Sequence, residues 1–392
     1  MQILTDLTTA QIRTARIRTS IGFILYGLVQ GLWLVQIPAV VERLDIDAKT
    51  LGLVVLMSGV GSAVAQPFAG WFVGLIGSRR ATRIFQPSFF FMIPVMILAP
   101  NITFLFIASF IMGLAGGPLN VAINTQAAEV ENARGTTTMP SFHGWFSVGS
   151  LVSASIVAII IWSGYGNGSG IIFVISLTIA TSIWLCAGML PATTNPSDSP
   201  KKRGLRLPTG AVLGIALIMV FSNLVEGGTA NFTSLFLKQV KGADAAMVGA
   251  GFTFYSFAMA VMRFAGGALV EKWGARKILT FGGIFIAIGI AIAILSPNIW
   301  FSAFGFLIVG LGAANSYPVL VGAASRIKGV APSVGVASVA TAGLFGFLLG
   351  PLLVGFVTDY SNLSIGLSTL GISGLAMILG ANLYSWPKKS QS

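Results

Sequence analysis

Twelve mostly apolar runs follow one another along this 392-residue chain, at about 20–41, 50–76, 82–99, 102–128, 139–163, 170–190, 210–237, 246–270, 278–296, 299–324, 332–357 and 363–386. Roughly 20 such residues are what an α-helix needs to cross the hydrocarbon core of a bilayer. The runs are continuous rather than alternating, so the spanning element is the helix and not the strand of a membrane barrel. The first run is too long for a signal-peptide core and many more follow it, so it is expected to remain in the mature protein. The expected fold is an all-α membrane protein of twelve transmembrane helices.

Charge supports this and adds an orientation. Only 9% of residues are charged, against about a quarter in soluble domains, which argues against a cytosolic enzyme, a disordered tail or a nucleic-acid-binding domain. The 23 Lys and Arg outnumber the 11 Asp and Glu, for a net charge of +12. With the N-terminus in the cytoplasm, Arg13, Arg16, Arg18, Arg79, Arg80, Arg83, Arg134, Lys201, Lys202, Arg203, Arg206, Lys272, Arg276, Lys277, Arg326, Lys328, Lys388 and Lys389 all fall inside. Arg43, Lys49, Lys238 and Lys241 fall outside, and Arg263 lies within a span. Lys and Arg concentrate on the cytoplasmic side of membrane proteins, so both termini are expected there, and the excess charge is an orientation signal rather than a nucleic-acid footprint. The single cysteine, Cys186, allows no intramolecular disulfide and no cysteine-built metal site.

The longest polar interruption, 191–209, holds four prolines and four basic residues near the midpoint and reads as an exposed linker. It separates an N-terminal six-helix half, 1–190, from a C-terminal half, 210–392. The halves repeat at an offset of 197. Gly70, Gly77 and Arg79 fall on Gly267, Gly274 and Arg276; Pro100, Asn101, Ile102 and Phe104 fall on Pro297, Asn298, Ile299 and Phe301; Gly113, Leu114 and Gly149 fall on Gly310, Leu311 and Gly346. Two in-register copies of Pro-Asn-Ile-x-Phe are hard to attribute to chance. A parallel six-plus-six repeat is a transporter architecture, with the solute site expected near the midplane between the halves.

At this point the chain resembles the major facilitator superfamily over essentially its whole length. The superfamily's loop between helices 2 and 3 reads G-x-x-x-D-R-x-G-R-R/K. Gly70, Gly77, Arg79 and Arg80 match it, while Gly74 stands where the acid belongs. The second copy runs from Gly267 through Glu271, Lys272 and Gly274 to Arg276 and Lys277 and keeps an acid. The resemblance thus implies gating roles for Arg79, Glu271 and Arg276. Trp33 with Pro38, Asn124, the stretch from Met139 to Gly149, Glu226-Gly227, Gly310 to Pro318, and Gly346 to Pro351 further resemble the bacterial fucose-permease-like branch. Gln36, Asn231-Phe232 and Gly266-Gly267 depart from that branch. It implies a multi-pass protein of the bacterial inner membrane.

Ionised groups at bilayer depth cost about 2.5–3.5 kcal/mol even on lenient scales, and only Glu226 and Arg263 lie deep in the expected spans. Glu226 is the first candidate proton site. An ion pair with Arg263, or a hydrogen bond to Asn223, is its structural alternative. Arg263 suits an anionic group or a sugar hydroxyl, the alternative being a side chain reaching to the membrane edge or to helix-end carbonyls. His143, the only histidine, is an auxiliary proton site near Glu129 and Glu131, or else a lock on the helix 4–5 corner. Helical phase groups Tyr26, Gln30 and Trp33 on helix 1, Asn120 with Asn124 on helix 4, and Asn223 with Glu226 on helix 7. Asn315 on helix 10, Ser147 on helix 5 and Tyr255 on helix 8 complete a surface of rings and amides suited to a small polar solute. Gly350 and Pro351 are expected to bend helix 11 and serve gating.

The absence of a Gly-Lys dipeptide removes a Walker A loop, and one His with one Cys leaves little for a metalloenzyme. The expectation is a non-enzymatic, proton-coupled symporter of a small polar, sugar-like solute working by alternating access. Proton-coupled export of drugs or metabolites, and a non-transporting sensor or scaffold, are the alternatives. Expected partners are the solute, H+ and the lipid bilayer, with no cofactor, no metal, no nucleic acid and a monomeric state.

Overall fold

The structure is a computed structural model. It describes residues 8–134, 138–163, 167–191, 210–245, 247–324, 327, 330 and 332–386. Apart from Pro191, the expected linker lies outside them. Among the described residues every regular element is a helix: α1 (Thr9–Leu44), α2 (Ala48–Ile76), α3 (Ser78–Ile97), α4 (Ile102–Arg134), α5 (Met139–Trp162), α6 (Asn167–Cys186), α7 (Ala211–Gln239), α8 (Ala250–Leu295), α9 (Ile299–Ala313), α10 (Ser316–Ala324), α11 (Pro332–Asp359) and α12 (Leu363–Leu383). Two differences from the sequence reading stand out. The expected eighth and ninth spans are two arms of α8, which turns at Gly274 (φ 77°, ψ 163°). The expected tenth span is divided into α9 and α10. Pro318 explains the division: it has no N–H to bond the Ala314 carbonyl four residues back, so the helix is interrupted at Ala314 and Asn315.

Ten stretches among the described residues are long and apolar enough to cross a membrane. α3 is not one of them, because Arg80, Arg83 and Gln86 in its first turns lower its mean hydropathy.

The chain forms two compact units. Unit 1 comprises Met1–Ile46, Val54–Lys202 and Ala245–Gly249; unit 2 comprises Asp47–Leu53, Arg203–Asp244 and Ala250–Ser392. In unit 1, α1 packs along α5, and α3 packs on α4 and α6. In unit 2, α7 packs along α11, and α8 packs on α9 and α12. The offset of 197 maps each of these packings onto its counterpart, the second arm of α8 taking the place of α3.

Backbone details repeat as well. Gly77 (φ 84°) and Gly274 (φ 77°) occupy the same left-handed conformation at equivalent places, which side chains with a Cβ rarely adopt. A methyl group at Gly113 would overlap the Ser58 carbonyl, and one at Gly310 would crowd the Tyr255 carbonyl; both partners are also 197 apart. Such close approach is how helices gain contact where lipid supplies no hydrophobic drive between them.

Helix ends are closed by cations in the same paired fashion. Arg43 donates to the carbonyls of Ala99 and Ile97, each at 2.6 Å. Lys241 donates to those of Ile294 (2.9 Å) and Ser296 (2.5 Å), and burial pushes its ammonium below the usual lysine range. Two of the four basic residues expected outside are thus caps on the C-terminal ends of α3 and α8. A third, Lys49, pairs with Asp359 at 3.2 Å.

Replacing Gly113 with Val is expected to destabilise the protein by about 1–3 kcal/mol through overpacking. Gly70, with nothing within 4 Å of an added methyl, is expected to accept Ala without loss. Thermal unfolding of the purified variants in detergent checks both.

Candidate functional site

In unit 2 the two deep charges find each other. Arg263 on the first arm of α8 donates from Nη2 to Glu226 Oε1 on α7 at 3.0 Å, with 16% and 24% of their side chains exposed. Arg263 therefore meets the helix 7 carboxylate. Asn223, one turn before Glu226, donates from Nδ2 to the Gly343 carbonyl of α11 at 2.9 Å, so it ties α7 to α11 instead of bonding Glu226.

Among the unpaired buried side-chain atoms of unit 2 are Asn223 Oδ1, Tyr255 Oη and Asn315 Nδ2. Tyr255 lies within electrostatic reach of both Glu226 and Arg263. Asn315 sits in the break between α9 and α10, and its Oδ1 rests against Gly266 of α8, where any Cβ would overlap it. An unpaired buried polar group costs about 1–3 kcal/mol, and native interiors leave few of them. One acceptor, one donor and one hydroxyl beside an ion pair form a surface able to take a ligand rich in hydrogen-bonding groups. The sequence reading missed Tyr317, which is 39% exposed on α10 and within electrostatic reach of Glu226. Its signal was a hydroxyl-bearing ring two residues beyond Asn315.

Unit 1 carries a second polar set. Tyr26 of α1 is held edge-on by Phe89 at 5.3 Å and Phe146 at 5.2 Å and shares a side-chain hydrogen bond with Asn120. Asn124 donates to the Asn120 carbonyl at 2.8 Å and approaches its Oδ1 at 3.4 Å. Tyr26, Asn120 and Asn124 are thus brought together. Gln30 is half-buried one turn along α1, and Trp33 is buried at 3% exposure.

The residues near His143 have structural employment. Glu131 accepts from the backbone N–H groups of Thr138 and Met139 at 2.5 and 2.6 Å, closing the start of α5. Ser78 Oγ lies 2.6 Å from Glu129 and 2.9 Å from the Gln126 amide. Its one proton can serve only one of these two acceptors at a time, and the Glu129 carboxylate is the nearer. His143 itself stands edge-on to Phe23 at 5.6 Å, and its carbonyl accepts from Ser147 Oγ at 3.2 Å.

Of the residues expected to serve gating, Arg79 donates to the Ala187 carbonyl beyond the end of α6 at 2.6 Å. Its counterpart Arg276 grips Asn382 Oδ1 of α12 through Nε and Nη2 at 3.1 and 2.9 Å. Glu271 is exposed on α8. Gly350 meets the Leu224 carbonyl of α7, and Pro351 lies inside a continuous α11 with its carbonyl facing Gly52. Gly350 thus provides a close approach of α11 to α7.

A family model described as Major Facilitator Superfamily matches residues 19–216 and again 215–392. The chain belongs to the Major Facilitator Superfamily. An uncharacterised MFS-type transporter of Yersinia pestis is 30% identical over 366 residues, covering 93% of this chain and 94% of that one. An uncharacterised transporter of Sinorhizobium fredii is 27% identical, with 90% and 93% covered. Among solved structures, a mutant of the nucleoside transporter NupG superposes with a TM-score of 0.74 at 15% identity, over 94% of this chain and 98% of that one. This MFS protein is accordingly a multi-pass membrane transporter and not an enzyme.

Tyr255→Phe is expected to leave stability unchanged or raised, since it removes a buried hydroxyl with no partner. Asn223→Leu is expected to cost about 1 kcal/mol by removing the hydrogen bond that ties α7 to the Gly343 carbonyl of α11. Chemical or thermal unfolding of the two variants side by side checks the contrast.

Proposed function

We propose that this MFS protein is a proton-coupled symporter of a small, polar, sugar-like solute, working by alternating access, with both termini in the cytoplasm of a bacterial inner-membrane setting and the monomer as its working form. The observation that carries the reading is the Glu226–Arg263 pair, half-sheltered among unpaired polar atoms. A paired carboxylate is a proton switch: protonation removes its charge, releases the guanidinium, and changes what the surrounding donors and acceptors offer a solute. Breaking such a pair without neutralising both partners is costly, so proton binding and solute binding are favoured to occur together.

In this reading Glu226 takes the coupling proton, and His143 is auxiliary. Asn223, Tyr255, Arg263 and Asn315 contact the solute from unit 2. Tyr26, Gln30, Trp33, Asn120, Asn124 and Ser147 serve from unit 1. Arg79, Glu271, Arg276, Gly350 and Pro351 serve the conformational exchange. A nucleoside transporter among its fold neighbours agrees with a solute that combines a sugar-like ring with hydrogen-bonding edges.

A thermal-shift screen of hexoses, polyols, nucleosides and amphipathic cations on the purified protein identifies the solute, and proteoliposome flux then tests the coupling. Glu226→Gln is expected to abolish accumulation driven by a pH gradient while retaining exchange of solute across the membrane at equal concentrations. Full pH-driven accumulation by that variant would overturn the assignment of the proton site.

A further inference from the structure

The end of α6 packs against the first turns of α3 and the early part of α1, and three arginines of unit 1 gather there. Arg18 donates from Nη1 to the carbonyls of Trp184 and Leu185 at 3.2 and 3.4 Å. Its guanidinium carbon lies 4.6 Å from the centroid of the Trp184 ring. Arg79 donates to Ala187. Arg83, one turn further along α3, is exposed, and with Arg79 it acts electrostatically on Cys186, the last residue of α6. Beside these cations stand Trp184, Ile17 and Ile84, exposed at 63%, 50% and 49%.

Closing a helix end does not require this much charge. The C-terminal end of a helix carries about half a negative charge, and each guanidinium has five N–H groups, of which the carbonyls here engage a minority. The internal repeat supplies a direct comparison. At the matching end of α12, the counterparts of Arg18, Arg83 and Trp184 are Ile215, Thr280 and Ala381. There one arginine, Arg276, suffices. It bonds Asn382, whose Nδ2 donates to Thr280 Oγ1 at 3.1 Å. The same packing problem is thus solved in unit 2 with one cation and neutral side chains. Arg83, the unused N–H groups of Arg18 and Arg79, and the exposed tryptophan of unit 1 exceed what the junction needs.

We propose that the end of α6 is a binding site for the phosphate of an anionic phospholipid, with Arg18, Arg79 and Arg83 around the headgroup and the acyl chains against Trp184, Ile17 and Ile84. Charge complementarity selects the phosphate, because basic pockets between helices at the membrane edge hold anionic headgroups. The apolar residues select a lipid over free phosphate, since an inorganic ion has nothing to place against them. Planar guanidinium groups suit phosphate oxygens through paired N–H bonds.

The test uses the full-length protein, delipidated in detergent, with added phosphatidylglycerol, phosphatidylcholine or inorganic phosphate. Bound lipid is counted by native mass spectrometry and stability is followed by thermal unfolding. Phosphatidylglycerol is expected to bind and raise the melting temperature, and the other two are not. Arg83→Gln removes an exposed cation while leaving Arg18 and Arg79 on the α6 carbonyls. It is expected to leave the lipid-free melting temperature unchanged and to weaken phosphatidylglycerol binding about five-fold, the loss of one cation near an anionic membrane surface. Lys277→Gln, an exposed cation of unit 2, is expected to bind as the parent does. Unchanged binding by Arg83→Gln, equal weakening by Lys277→Gln, or an equal effect of inorganic phosphate would each overturn the proposal.

Discussion

A polar group in hydrocarbon has no water to turn to, and every strong feature of this protein answers that constraint. Backbone groups are consumed within helices, so every regular element among the described residues is a helix. Groups that helices cannot satisfy internally, at their ends, are met by long cationic side chains: Arg43 on α3, Lys241 on α8, and Arg18 and Arg79 on α6. The deep charges obey the same rule. Glu226 and Arg263 meet as an ion pair at 3.0 Å. Against this background, unpaired buried atoms such as those of Asn223, Tyr255 and Asn315 stand out, and Tyr255 lies within electrostatic reach of the Glu226–Arg263 pair.

The duplicated architecture makes these exceptions easier to interpret. Gly113 with Ser58 and Gly310 with Tyr255 show the two units packing helices by the same backbone contact. Yet position 58 is a serine and position 255 a tyrosine, so the scaffold is shared while the side chain that projects from it differs. Packing dictates the glycines, and chemistry dictates what faces them. The same division holds at the repeat-equivalent ends of α6 and α12, where the helix junction repeats and the charge does not.

Much of this architecture was legible in the sequence because its determinants are local. Run length, the repeated Pro-Asn-Ile-x-Phe and the glycines at 77 and 274 each depend on a few neighbouring residues. The division of the tenth span was legible in principle from Pro318, but a single proline inside an apolar run more often bends a helix than breaks it. The site was legible only as a roster. Helical phase placed Asn223 and Glu226 on one face, but it could not show that Asn223 would bond Gly343, 120 residues away, or that Arg263 would turn to α7. Partner choice across helices depends on rotation and depth, which the linear pattern does not encode. The same gap hid the partners of Glu129 and Glu131, which accept from the Ser78 hydroxyl and from the Thr138 and Met139 N–H groups.

Gly266 is a small residue with a wide reach. It touches no charge and projects nothing into the site, yet the Asn315 amide can lie where it does only because α8 is bare at that point. A lineage that exchanged this glycine for alanine would evict Asn315 and redraw the hydrogen-bonding surface without altering any residue of that surface. Cargo preference in such a protein is therefore open to drift through positions that no contact map of a bound solute would include.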